Sequence, residues 1–239
     1  MILLSLALFA FAVADLIRWT PERISTRRAV VAVAGSAVLT GGLAALSGMD
    51  PPATVAVTLG AALVSAVWIG LQKGGPLRSL VWMLLVLVLF FAASGGPNPI
   101  DGEVGEWYSG LPFGFVERVS VDQFVLGLSA TLFLTASANQ IVRLVLGAAA
   151  IHWEKGEEKL AGGRVLGPLE RLIVAAIVLA GDPAAAAIVV AAKGLLRFPD
   201  LRSEGEVSGP DSVTEYFLIG TLTSLSVAAV LAVLVLAAG

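Results

Sequence analysis

The sequence predicts an all-α membrane protein, a polytopic transmembrane helix bundle of about eight membrane segments. Hydrophobic residues make up 57% of the 239 residues and charged residues only 14%, and the mean hydropathy is +0.91. A soluble domain has fewer apolar residues and more charged residues than this chain. Every Lys and Arg except Arg118 also falls into one of four short segments between long apolar runs, which span residues 18–28, 73–78, 143–171 and 193–202.

These basic segments can all lie on the same side of a membrane. Short loops that are rich in Lys and Arg remain in the cytoplasm. The pattern therefore predicts that the N- and C-termini are both extracytoplasmic, and that the acidic loop 95–122 is extracytoplasmic as well. Trp107, Tyr108, Phe113 and Phe115 in that loop suggest that it lies along the lipid headgroups.

A helix needs about 20 apolar residues to cross the hydrocarbon core. The first run, Met1 to Ile17, lacks the basic region of a signal peptide, so we interpret it as a retained anchor rather than a cleaved leader. The sequence contains no segment long enough for a separate soluble domain, and residues 1–239 are predicted to form a single integral membrane domain. Its predicted spans are about 1–17, 29–46, 53–71, 79–93, 124–150, 165–180, 183–198 and 216–238.

The region 169–198 has two interpretations. One long span would give seven segments, but it would bury Asp182 near the bilayer centre and export the last basic cluster. A hairpin would use Asp182 as an N-cap and Pro183 as the first helical residue. Because Gly-Asp-Pro is a turn signature, we favour the hairpin and therefore eight segments. The similar Gly48-Met49-Asp50-Pro51 turn raises the question of an internal duplication.

Composition also limits the chemistry. The chain has no cysteine and one histidine, His152, which excludes thiol nucleophiles, disulfides and clusters of imidazole ligands. We expect no metal, no cofactor and no catalytic residues, since no nucleophile motif and no clear acid–base pair occur. A net charge of −3 with no basic face argues against nucleic acid.

Charged residues near the ends of the last three predicted helices form the first candidate site. In a membrane chain such residues are the best indicators of function. They could form a structural ion-pair network with snorkelling side chains, or a site that binds an anionic substrate. The cluster comprises Arg164, Glu170, Arg171, Lys193, Arg197 and Glu215.

A polar stripe along the fifth run is the second candidate. Small and polar residues recur every four positions from Gln123, and they include Thr131, Thr135, Asn139 and Arg143. Such a stripe indicates close helix packing with interhelical hydrogen bonds, or a polar path for a solute. Asp15, three residues before Arg18, is interpreted as a paired acid at a helix end.

The C-terminal third resembles a family of uncharacterised bacterial multi-pass inner-membrane proteins whose function is unassigned. The resemblance rests on Gly163-Arg164-Val165-Leu166-Gly167-Pro168-Leu169-Glu170-Arg171, followed by Ala191-Ala192-Lys193, Leu196-Arg197-Phe198 and Glu215-Tyr216. The family pattern is G-R-x-I-G-x-L-E-R, A-A-K-S, L-R-F and E-Y. In its N-terminal His-x3-Asp-Phe-x2-Gln motif, Asp15 matches the acid, whereas Phe11 and Arg18 replace His and Gln. The resemblance implies a multi-pass protein of the bacterial cytoplasmic (inner) membrane and supplies no activity.

No motif in the sequence assigns an activity, so the hypotheses about function rest on the class of protein. The first hypothesis is a non-enzymatic membrane protein that binds or transports a small solute. The alternatives are a membrane-embedded enzyme that acts on a phosphorylated or lipid-linked substrate, and a structural membrane scaffold. The expected partners are the lipid bilayer and either a small anionic solute or a lipid headgroup, and an oligomer remains open.

Overall fold

A computed structural model describes residues 1–18, 25–95, 100–114, 116–149, 163–192, 194–195 and 210–239, and most of these residues are helical with no strand among them. Side chains are described for the same residues except 163–164 and 210–214. The helices are α1 (Ile2–Ile17), α2 (Thr26–Leu46), α3 (Pro51–Leu71), α4 (Pro76–Ala93), α5 (Glu103–Ser109), α6 (Val121–Thr135), α7 (Ser137–Ala148), α8 (Gly163–Leu179), α9 (Pro183–Ala192) and α10 (Pro210–Leu236).

The first helix is the centre of the bundle. Nearly all of its side chains are buried, and it packs against α2, α3, α4, α6 and α7. The outer helices instead expose large apolar side chains, such as Val38 and Leu63 at 69% and 62% of their surface. A broad exposed apolar surface of this kind is suited to lipid rather than to water.

The two ends of the bundle differ in charge. At one end, the Met1 ammonium pairs with Asp122 at 3.0 Å, and the side chain of Gln123 donates to the Val235 carbonyl. We call this the Met1 end, and it also carries the acidic loop and the last residue, Gly239. At the other end, α1 finishes at Arg18, with Arg143 close enough to repel its guanidinium.

In the described residues, both ends of the sequence lie at the Met1 end. The basic residues that the structure describes at the opposite end are Arg18, Arg27, Arg28, Lys73, Arg78 and Arg143.

Four described helices are long and apolar enough to cross a membrane alone, namely α2, α3, α4 and α10. The pair α6 and α7 passes the same criteria together and makes a fifth candidate. Helices α1 and α9 are apolar but shorter, and α8 has 17 residues. The structure therefore supports a helical membrane protein with four or five spans by length, and the predicted count of seven or eight is not met by this criterion.

Two turns follow the geometry that the sequence predicts. Gly48 and Gly181 adopt φ values of 86° and 85°, a conformation that ends a helix and favours glycine. After the second turn, the Asp182 side chain accepts from the Ala185 amide at 2.9 Å, and Pro183 begins α9. The roles expected for Asp182 and Pro183 are confirmed, and 169–198 is not one continuous helix.

The acidic loop is partly ordered by its aromatic residues. Tyr108 in α5 is buried, and its hydroxyl donates to the Val119 carbonyl at 2.8 Å. Its ring lies 4.9 Å from that of Phe124 at the start of α6. Burial raises the pKa of the Tyr108 phenol. The loop therefore covers the Met1 end of α6 instead of extending away from the bundle.

Close packing of α2 and α3 depends on Gly41. A Cβ at Gly41 would collide with the Thr58 hydroxyl, whereas a Cβ at Gly42 would meet nothing within 4 Å. We expect Gly41→Ala to lower the free energy of unfolding by about 1–3 kcal/mol, because overpacking forces neighbouring atoms apart. Gly42→Ala should instead stabilise by up to about 1 kcal/mol, since alanine is the better helix former. Thermal unfolding of the two purified variants in one detergent tests this, and equal melting temperatures would contradict it.

Candidate functional site

A break in the fifth predicted span organises the polar interior of the bundle. Helix α6 ends at Thr135, α7 begins at Ser137, and their axes differ by 48°. The sequence predicts a single helix over 124–150, and this prediction is wrong at Ala136, which adopts φ −100° and ψ −68°. We call residues 135–137 the break. Sharp kinks usually have a proline, a glycine or an inserted polar group as their cause, and here polar side chains occupy both sides.

The break lies inside the bundle, beside the last turn of α1, which ends at Ile17. Helix α6 contributes 15 residues on one side and α7 contributes 12 on the other, so they extend about 22 Å and about 18 Å. A hydrocarbon core is about 30 Å thick. In a membrane-spanning orientation, the break would therefore lie within the hydrocarbon core, nearer to the end at which α1 finishes than to the Met1 end.

On one side of the break, Asp15 forms a buried ion pair. Arg18 Nη2 lies 3.3 Å from Asp15 Oδ1, and both side chains are at most 8% exposed. Trp68 Nε1 donates to Oδ1 at 3.0 Å, and the Ser137 hydroxyl donates to Oδ2 at 2.7 Å. Because Ser137 is the first residue of α7, the carboxylate lies by the positive end of that helix dipole. The pairing expected for Asp15 is confirmed, and the acid also joins α1 to α3 and α7.

Aromatic rings surround this ion pair. The Phe11 ring packs edge-on against the Trp68 ring at 5.5 Å and against the Phe133 ring at 6.5 Å. All three side chains are almost fully buried. An apolar shell lowers the local dielectric, which strengthens the attraction between Asp15 and Arg18 and also raises the cost of leaving either one unpaired.

On the other side of the break, Arg171 from α8 is buried, with 3% of its surface exposed. Its Nη1 donates to Asn139 Oδ1 at 2.7 Å and to the Leu134 carbonyl at 3.3 Å, and its Nε donates to Ser224 Oγ at 2.7 Å. All three acceptors are uncharged. Thus one guanidinium satisfies the Leu134 carbonyl beside the break and ties α6, α7, α8 and α10 together.

A small cavity lies next to Arg171. It has a volume of 100 Å³ and is lined by α6, α8 and α10. Leu134, whose carbonyl accepts from Arg171, and Leu172, the residue after Arg171, both contribute to its wall. Thr131 and Gly127 from the polar stripe line the same cavity.

Some of the residues that the sequence singled out do come together. Arg171 and Asn139 bond directly, and Thr135 lies at the break, where its hydroxyl donates to the Leu132 carbonyl. Arg171 is also deeper than the helix end at which the sequence suggested it. Arg143, in contrast, is exposed near Arg18.

Two other members of the charged cluster lie in the described residues. Glu170 is half-buried and close enough to attract the Arg171 charge, and Glu215 is exposed, whereas the hydrogen-bond acceptors of Arg171 are neutral groups. Lys193, Arg197 and the side chain of Arg164 lie outside the described residues, as do Phe115 and His152.

Sequence reasoning missed Trp68, Ser137 and Ser224 as partners of the two buried charges. Trp68 is 53 residues from Asp15, and Ser137 is 122 residues from it. Residue type alone does not mark a tryptophan and two serines in apolar helices as partners of buried charges. The available signal was Asp15 itself, since a carboxylate within an apolar run needs partners from other helices.

The described residues contain no group of three or more His, Asp or Glu side chains that could hold a metal ion. Comparison of the chain with protein families, with curated proteins and with solved structures finds no match. The site is therefore interpreted from its own geometry.

Proposed function

We propose that this chain is an integral membrane protein that binds or transports a small anionic solute at the break between α6 and α7. The observation that carries the proposal is a helix interrupted inside the bundle with buried Asp15 on one side and buried Arg171 on the other. Ionisable residues inside membrane segments usually mark solute or ion pathways. Broken helices within the membrane are a recurrent means of building such sites in transporters.

Arg171 is the group proposed to meet the solute. Its three acceptors are neutral oxygens from Asn139, Leu134 and Ser224, so an anion could exchange for them with a gain in charge pairing. The 100 Å³ cavity beside it would admit a solute the size of a small carboxylate or phosphate after modest rearrangement. Thr131 on the cavity wall supplies a hydroxyl along the approach.

The membrane setting is part of the proposal. Eight segments with both termini extracytoplasmic, in the inner membrane of a bacterium, fit the basic end that Arg18, Lys73 and Arg143 mark. The resemblance of the C-terminal third to uncharacterised bacterial multi-pass proteins points the same way. Under this topology the Met1 end faces away from the cytoplasm.

The test is a current measurement on proteoliposomes adsorbed to a solid-supported membrane. Concentration jumps of sodium acetate and sodium phosphate should evoke a saturable current, or, in a separate measurement, the same anions should raise the melting temperature of the purified protein. Arg171→Lys, which keeps the charge but loses the fork of donors, should weaken the response at least tenfold. Arg143→Lys, at the exposed end, is the matched control and should respond as the wild type does.

If the role of Arg171 is only structural, a different result is expected. In that case Arg171→Lys would lower the melting temperature, while neither anion would give a current or a stabilisation with the wild type. That result would refute the transport proposal and favour a scaffold in which the guanidinium only braces the break.

A further inference from the structure

A second cavity lies between the first four helices, in the half of the bundle towards the Met1 end. Its volume is 200 Å³, and its wall is almost entirely carbon, with Leu6 and Ala10 from α1, Val64 from α3 and Phe90 from α4. It is separate from the break, and no residue of the solute site described above lines it.

One polar side chain lines this cavity. Thr40 from α2 is 1% exposed, and its hydroxyl has no hydrogen-bond partner among the residues that the structure describes. A hydroxyl on a membrane helix ordinarily bonds the carbonyl four residues before it. Thr58 and Ser94 in neighbouring helices do so, at 2.8 Å and 2.6 Å. Burial without a partner removes the hydroxyl from water without compensation, so the unpaired group at Thr40 needs an explanation.

The polar residues nearest in sequence do not supply a partner. Ser36, one turn before Thr40, donates to the Ala10 carbonyl at 2.8 Å and lies 2.8 Å from the Ser65 hydroxyl. This bridge joins α1, α2 and α3 beside the cavity, since Ala10 also lines its wall. Ser36 and Ser65 therefore satisfy each other, and the Thr40 hydroxyl, which is buried in the cavity wall, is left without a partner in the described residues. A turn about the Cα–Cβ bond of Thr40 would present this hydroxyl to an occupant of the cavity.

We propose that the cavity binds a small, largely apolar molecule that carries a single hydrogen-bonding oxygen, which pairs with the Thr40 hydroxyl. An apolar cavity of about 150 Å³ holds benzene, so 200 Å³ accommodates a single substituted ring or a short branched chain. Ala56 on its wall is exposed on the outer surface of α3, so the cavity is reached from the bilayer side. The oxygen belongs either to part of a membrane lipid or to a free amphiphile dissolved in the bilayer.

The experiment compares two probes that differ by one hydroxyl. Binding of 4-fluorobenzyl alcohol and 4-fluorotoluene is measured by fluorine NMR with the full chain in nanodiscs, and empty nanodiscs correct for partition into lipid. The wild type should bind the alcohol more tightly than the toluene. Thr40→Val, which keeps the shape but not the hydroxyl, should lose about fivefold in affinity for the alcohol alone. Thr40→Ser should retain the preference.

Filling the cavity is an independent test. A Cβ at Gly60 meets nothing within 4 Å, so Gly60→Leu adds a side chain to the cavity wall without moving the backbone. It should abolish binding of both probes. Gly42→Leu, which meets equally open space but does not line the cavity, should bind both as the wild type does.

Several results would overturn the proposal. Equal affinity for the two probes in the wild type would show that Thr40 does not recognise an oxygen, and unchanged binding in Gly60→Leu would place the probes elsewhere. Absence of binding to every variant would leave water as the partner of Thr40. If binding is observed, mass spectrometry of the protein released intact from nanodiscs identifies the source of the occupant, since a bound lipid and a free amphiphile differ in mass.

Discussion

Replacing Asp15 with alanine is expected to lower the free energy of unfolding by about 3–5 kcal/mol. The change would leave the Arg18 guanidinium buried without its carboxylate and would remove the acceptor of Trp68 Nε1 and Ser137 Oγ. Breaking a buried ion pair from one side is costly because the remaining charge stays desolvated. Unfolding in mixed micelles with increasing denaturing detergent, followed by tryptophan fluorescence, measures the loss.

The matched control for this variant is Asp122→Ala. Asp122 also pairs with a cation, the Met1 ammonium, but both groups are partly exposed at 22% and 24%. An exposed pair contributes at most about 1 kcal/mol. The double variant Asp15→Leu, Arg18→Leu should recover part of the loss, since neither charge is then left alone. If Asp15→Ala and Asp122→Ala unfold alike, the ion pair in the interior does not stabilise the bundle.

Replacing Arg171 with methionine is expected to cost about 2–4 kcal/mol and to straighten the break. Methionine keeps the bulk of the side chain, but it leaves Asn139 Oδ1, Ser224 Oγ and the Leu134 carbonyl without the donor. Without that donor, the Leu134 carbonyl is most easily satisfied by continuing the helix through Ala136. The same denaturation assay reports the stability.

Because the chain has no cysteine, the bend can be measured without removing native thiols. Spin labels on Leu128 of α6 and Ala148 of α7, which are both exposed, report the distance across the break. Arg171→Met should lengthen this distance, whereas Arg143→Met at the exposed end should not. An unchanged distance with lowered stability would mean that the break is fixed by packing rather than by Arg171.

Local rules account for much of the fold. The glycine, aspartate and proline at residues 48–51 and 181–183 fix where α2 and α8 end and where α3 and α9 begin. Arg27, Arg28, Lys73 and Arg78, which belong to two of the basic segments, lie at the bundle end opposite to Met1. These features depend on a few neighbouring residues or on composition, so one sequence is sufficient to predict them.

The break and its partners depend on contacts that are distant in sequence. Thr135-Ala136-Ser137 contains neither proline nor glycine, and its propensity does not distinguish it from a continuous helix. The bend is accompanied by hydrogen bonds from Arg171, which lies in another helix, to Asn139 and to the Leu134 carbonyl. Both residues were predicted from the sequence, but as members of separate features, a charged cluster and a polar stripe. Residue spacing within one helix does not show which residues of other helices pack against it.

The central position of α1 has a consequence for biosynthesis. This helix is synthesised well before α7, in which Asp15 finds one of its hydrogen-bond donors 122 residues later. At about 5–20 residues per second, that interval is on the order of 6–24 s. During this time α1 must lie in the membrane or at the insertion machinery with its carboxylate only partly paired. Assembly is therefore completed late, when α6 and α7 close around the earlier helix α1.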